Sequence, residues 1–89
     1  MPSTIVFHNL FHRATVVELR AGNFFDCNLN REIPSITIDP GGKHSLSTDE
    51  SICFRRDLDP DNPTGQMTIF TIVNIDPPPS SPQHIEVNI

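Results

Sequence analysis

Tryptophan and tyrosine are missing from this chain altogether, and all six of its aromatic residues are phenylalanine. Surfaces that grip sugars or single-stranded nucleic acids usually stack their ligands on exposed amphipathic rings, so the absence weighs against both. Cations are scarce as well. Six Lys and Arg stand against eleven Asp and Glu, a formal net charge of -5, whereas binding to a phosphate backbone needs the opposite sign. Only Arg55 and Arg56 are adjacent, and two arginines do not make a basic patch. Nucleic acid is therefore not an expected partner. No apolar run approaches the roughly 20 residues of a membrane span, and Met1-Pro2-Ser3-Thr4 lacks the charged-then-apolar pattern of a leader. The chain reads as a soluble, acidic, cytoplasmic protein, or as a secreted one if a signal peptide has been removed ahead of Met1.

Motif chemistry is equally thin. There is no C-x-x-C, H-E-x-x-H, G-x-S-x-G, P-loop or dinucleotide fingerprint. Helical periodicity of useful length and internal repeats are missing too. What is present is β-sheet chemistry: ten isoleucines and five valines, in short segments separated by turn clusters from end to end. The segments predict strands over Ser3 to His8, Thr15 to Arg20, Glu32 to Asp39, Lys43 to Ser47, Ser51 to Arg56, Gln66 to Ile75 and Gln83 to Ile89. Seven strands in 89 residues predict one domain, residues 1–89. The expected fold class is all-β, a small antiparallel β-sandwich, Ig-like or Greek-key in general layout.

Alternation assigns the faces. Val17 and Leu19, Ile36 and Ile38, Ile52 and Phe54, and Ile85, Val87 and Ile89 should point inward, which leaves Cys53 on the other side of its strand. Asp39-Pro40-Gly41-Gly42 reads as a type II turn, with Pro presetting φ and Gly supplying φ > 0. It should join two neighbouring antiparallel strands. The run Thr68-Ile69-Phe70-Thr71-Ile72-Val73 is apolar on both faces and reads as a central strand, or as one whose second face meets a partner. A Pro-rich connector, 77–82, then delivers the last strand on a stiff polyproline arm. Pro79-Ser80-Ser81-Pro82 matches P-x-x-P but lacks a flanking basic residue, so a connector is the better reading. Such a hinge makes exchange of the last strand between protomers geometrically cheap.

A hydrophobic fraction of 36% is lean for 89 residues, so a disulfide, a metal or self-association is expected to help. Cys27 and Cys53 can pair in one way; a cytosolic setting would keep them reduced. As a free thiol, Cys53 with a histidine and an aspartate would be the seed of a small enzyme, though no local signature supports one. Asp57, Asp59 and Asp61 alternate in a loop, as oxygen ligands for Ca2+ do. Asn62 at the sixth position, Pro60 and Thr68 break the EF-hand pattern, so an Asp/Pro/Asn turn explains them better. His8 and His12 are a candidate pair for a transition metal. Arg55 and Arg56 should pair within the chain, to Asp57, Asp59 or Glu50, in preference to capturing an anionic ligand. Phe24 and Phe25 are adjacent in a polar loop, and adjacent residues on an extended segment face opposite ways. One ring is therefore a candidate interface anchor.

The expected function is a non-enzymatic binding or assembly module, a homo-oligomer or a partner of another protein, acting through a sheet edge or exposed apolar face. Phe24, Phe25, Ile85, Val87 and Ile89 are its candidate contacts. The alternative is a metal-ion or small-ligand-binding β-domain using Asp57, Asp59 and Asp61, or His8 and His12.

Overall fold

The computed structural model describes residues 2–75 and 82–89. Seven strands form: β1 (Ser3–His8), β2 (Thr15–Ala21), β3 (Arg31–Ile38), β4 (Lys43–Thr48), β5 (Ile52–Arg56), β6 (Thr71–Val73) and β7 (His84–Asn88). They make two sheets, a three-stranded one ordered β4-β1-β7 and a four-stranded one ordered β3-β2-β5-β6. The architecture is a small β-sandwich, as the strand spacing predicted. All pairings are antiparallel except β1 with β7, which run parallel, Thr4 opposite His84 through His8 opposite Asn88. Most of the 77–82 connector leading into β7 lies outside the described residues, and so do Pro79, Ser80 and Ser81 of the P-x-x-P match.

The core fills the space between the sheets. Ile5 and Phe7 of β1 meet Val17, Leu19 and Ala21 of β2, Ile38 of β3 and Ile52 of β5, with Ile75 and Ile89 closing the ends. Ile33, Ile36, Leu46, Phe54, Val73, Ile85 and Val87 pack against that cluster. Every residue that alternation turned inward is thus in the core or on its margin. Phe7 and Phe54 bridge the sheets edge to face, with ring centroids 5.3 Å apart, an arrangement that aligns the positive rim of one ring with the negative face of the other.

Two expectations are corrected. The Asp39–Gly42 turn forms, with Gly41 at φ 70 and the Gly42 amide donating to the Asp39 carbonyl at 2.9 Å. It does not join neighbours in one sheet: it carries the chain from β3 in the four-stranded sheet to β4 in the three-stranded one. The cause is Asn9, at the end of β1. Its backbone takes both sides of the turn, donating to the Gly42 carbonyl and accepting from the Gly41 amide, each at 3.0 Å. Its fully buried side chain donates to the carbonyls of Arg13, Ile38 and Asp39 and accepts from the Phe11 amide and the Thr15 hydroxyl. The turn is therefore pinned over the end of the other sheet.

The second correction concerns Gln66 to Ile75, which is not a long central strand. Only Thr71–Val73 pairs as a strand, and it is an edge; Met67 makes an isolated bridge to Asp57. The Thr68 hydroxyl accepts the Arg56 amide at 3.1 Å, and the Ser51 hydroxyl accepts the Ile75 amide at 2.9 Å. Side-chain oxygens thus take backbone donors that a continued ladder would have used. Apolar residues on both faces do not make this strand central, because its second face has other work, described below.

Because the fully buried Asn9 side chain holds the buried Ile38 carbonyl together with the part-buried carbonyls of Arg13 and Asp39, Asn9→Ala should lower stability by about 3 kcal/mol, a fall in Tm on the order of 15 °C for a domain of this size. Asn9→Asp should behave similarly, since a carboxylate cannot donate. Urea and thermal unfolding measure both; a change within about 0.5 kcal/mol, the range of inert surface substitutions, would rule out this role for Asn9.

Candidate outer-face interaction site

The outer side of the four-stranded sheet carries the most organised surface chemistry. β2 and β5 lie side by side with Glu18 opposite Arg55 and Arg20 opposite Cys53. Across the other edge of β2, Arg20 stands opposite Glu32 of β3. Cross-strand neighbours on one face approach closely enough for their charges to meet. Arg55 donates from Nε to Glu18 at 3.0 Å, with a closest ion-pair approach of 2.8 Å. Arg20 reaches Glu32 at 2.9 Å and the Asn30 carbonyl at 3.0 Å. Both guanidiniums lie near the Phe70 ring, Arg55 4.7 Å and Arg20 5.5 Å from its centre, inside the range of cation–π attraction. This is what the second apolar face of the β6 region does. The groups line an open cleft of about 300 Å³.

A second concavity, about 530 Å³, continues from it past Arg55 and Phe70 to Phe25, Asp26, Cys27, Met67 and Ile69. Its far wall is the loop between β2 and β3, which is anchored at several points. Cys27 is joined to Cys53 by a disulfide, with Cα atoms 5.9 Å apart. Asp26 caps the single 3-10 turn Cys27–Leu29, its side chain accepting the Asn28 amide. Buried Asn30 accepts the Phe24 amide at 3.1 Å and donates back to the Phe24 carbonyl at 3.2 Å. Gly22 is required beneath it, because a Cβ there would overlap Asn30 Oδ1. Held in this way, the loop points its apolar side chains outward: Phe25 is 90% exposed, Leu29 64% and Phe24 60%, while Ile69 across the concavity is 87% exposed.

Cys27 and Cys53 are bridged and Cys53 is fully buried, so Cys53 has no thiol to serve as a nucleophile. Phe24 and Phe25 are both on the surface, where alternation had turned one of them in. Ile85 and Val87 pack against the core, and Ile89 belongs to it. His8 ends β1 and His12 lies in the loop after it. Asp57 accepts the Val16 amide through Oδ2 at 3.3 Å, and the Asp59 carbonyl accepts the Asn62 amide, a turn closure, at 3.1 Å. Among the described residues, no group of three or more His, Cys, Asp or Glu side chains is placed to hold a metal ion. Arg55 pairs with Glu18, where an acidic loop was expected, and Glu50 pairs with Arg31. Arg56 donates to the Asp57 carbonyl and stacks on Phe11, 4.7 Å from its centre. Glu18, Arg20, Asn30 and Phe70 were not singled out in the sequence, because the pairs they form depend on the register of β2 against β3 and β5.

No family model, curated protein or solved structure matches the chain.

Reduction should release the β2–β3 loop. On the chain-entropy account, opening a link across 26 residues costs about 3 kcal/mol of stability. Urea unfolding with and without dithiothreitol reads that loss, and hydrogen exchange should speed at Phe24 and Asn30 ahead of β1. Unchanged exchange at those two amides would show that the bridge does not hold the loop.

Proposed function

We propose that the protein is a non-enzymatic binding or assembly module that works through the outer face of its four-stranded sheet. One observation carries this reading. Phe25 and Ile69 come from distant parts of the chain, line one concavity, and are almost fully exposed. Single exposed apolar residues are ordinary, but a contiguous set beside an ordered concavity marks an interaction site. Large aromatic side chains on rigid supports are the usual anchors of such sites. The loop that presents them is braced by a disulfide, a 3-10 turn and a buried asparagine, so little ordering entropy remains to be lost on binding.

The neighbouring Glu18–Arg55 and Arg20–Glu32 pairs suit the polar margin of an interface, where charges set register more than affinity. A disulfide favours oxidising surroundings over the cytoplasm, which makes a secreted setting the better reading. Among the described residues, no cluster of His, Cys, Asp or Glu side chains favours the metal-binding alternative.

The test places a photoreactive side chain at Ile69 and, separately, at exposed Ser47 on the outside of the three-stranded sheet. A discrete adduct from position 69, lost when Phe25→Ser is added and not formed from position 47, is the expected result. Equal labelling from both positions, or no adduct from either, would refute the reading.

A further inference from the structure

We infer that the partner of this surface is a second copy of the same chain, docked about a two-fold axis that brings the two Phe25–Ile69 concavities into contact. The inference rests on the reading of the outer face as an interaction surface. It is carried first by the edge itself. Among the described residues β6 is bonded to β5 on one side and to no strand on the other, so the margin of the sheet beside the concavity is open to a second copy related by a two-fold axis.

Shape favours a second copy as well. An isologous interface uses the same patch on both sides, so the patch must supply both a projection and a recess. Here it does: the Phe25 ring stands out from the margin of a concavity of about 530 Å³, and the two-fold axis brings each ring to the other copy's recess.

The exposed apolar area also fits a folded partner. With side chains of this size burying roughly 150–250 Å² each when aromatic, the exposed parts of Phe24, Phe25, Leu29 and Ile69 come to the order of 500 Å². A standard interface buries about 800 Å² per partner, a little over half of it apolar. The patch is therefore the right size for a folded partner, whereas a single extended peptide would leave much of it in water.

Charge is permissive, and it gives the proposal a sign. The guanidiniums of Arg20 and Arg55 are already neutralised by Glu32 and Glu18. Asp26 is the charged group of the concavity that makes no ion pair among the described residues. The contact zone is thus nearly neutral, while each whole chain carries -5. Two like-charged chains meeting through an apolar zone associate more tightly as salt screens their repulsion. A basic partner drawn by the net charge would bind more weakly.

The experiment is sedimentation velocity on the oxidised full-length chain from micromolar to millimolar concentration, at low and at high salt, beside Ile69→Lys and Phe25→Ser. The expected result is a reversible monomer–dimer equilibrium that tightens with salt, with each variant weakening association about tenfold or more at an unchanged monomer melting temperature. Both side chains are on the surface, so the variants should fold; circular dichroism checks that they do. A strict monomer at millimolar concentration in both salts would overturn the inference, as would a dimer that neither variant weakens or that salt loosens. A monomer that still yields a discrete hetero-adduct from the photoprobe at position 69 would remove self-association while sparing the outer face as a binding site. A monomer with no adduct would remove both.

Discussion

The Cys27–Cys53 bridge lies outside the core, and the character of the molecule follows from that placement. Cys53 sits on β5 between Ile52, which is buried in the core, and Phe54, which packs against it. By strand alternation it must face the other way. A cross-link there adds nothing to the apolar interior. It draws the β2–β3 loop down over the outer face of the sheet, buries Cys53 beneath it, and leaves the rings of Phe24 and Phe25 to project. Without the link, a loop carrying two adjacent phenylalanines would be free to fold them against the sheet. With the link, the exchange of Asn30 with Phe24 and the tight approach over Gly22 hold one conformation. The exposed apolar surface is therefore a product of covalent and polar restraints acting against the tendency of such side chains to hide.

How far the fold could be read from sequence depended on the range of the forces involved. The positions of β1, β2, β4, β5 and β7 followed from β-branched alternation and turn residues, which act over a few neighbours. The inward faces followed from the same alternation and placed Val17, Leu19, Ile36, Ile38, Ile52, Phe54, Ile85, Val87 and Ile89 correctly. What escaped was non-local. The Asp39–Gly42 turn was legible as a turn, but its crossing between sheets depends on Asn9, some thirty positions earlier in the chain. The length of β6 was overestimated because the hydroxyls of Thr68 and Ser51 interrupt a ladder that the apolar pattern alone would extend.

The site was legible in part. Phe24 and Phe25 are recognisable in the sequence as two rings in a polar loop, and Cys27 and Cys53 as the one possible cysteine pair. Phe70 and Glu18 were invisible as site residues because each is ordinary in its own segment. Phe70 reads as core until the fold sets the Arg20 and Arg55 guanidiniums near its ring, and Glu18 reads as a surface charge until Arg55 is set across from it. The outer face is thus layered: charge pairs over Phe70 near the middle of the sheet, and apolar side chains toward the β6 edge. Pairs held in that geometry keep both arginines from acting as free cations.

The claim at the centre of this account is that the bridged loop and the β6 edge act together as one contact surface. The most direct measurement is a dilution series of backbone amide NMR shifts on oxidised protein, repeated after reduction. The expected result is that Phe24, Phe25, Leu29, Ile69 and Thr71 shift together with concentration, while β1 and β4 stay fixed and reduction abolishes the response. Shifts confined to β4 or β7, or a response at Ile69 that persists when the bridge is open, would contradict it.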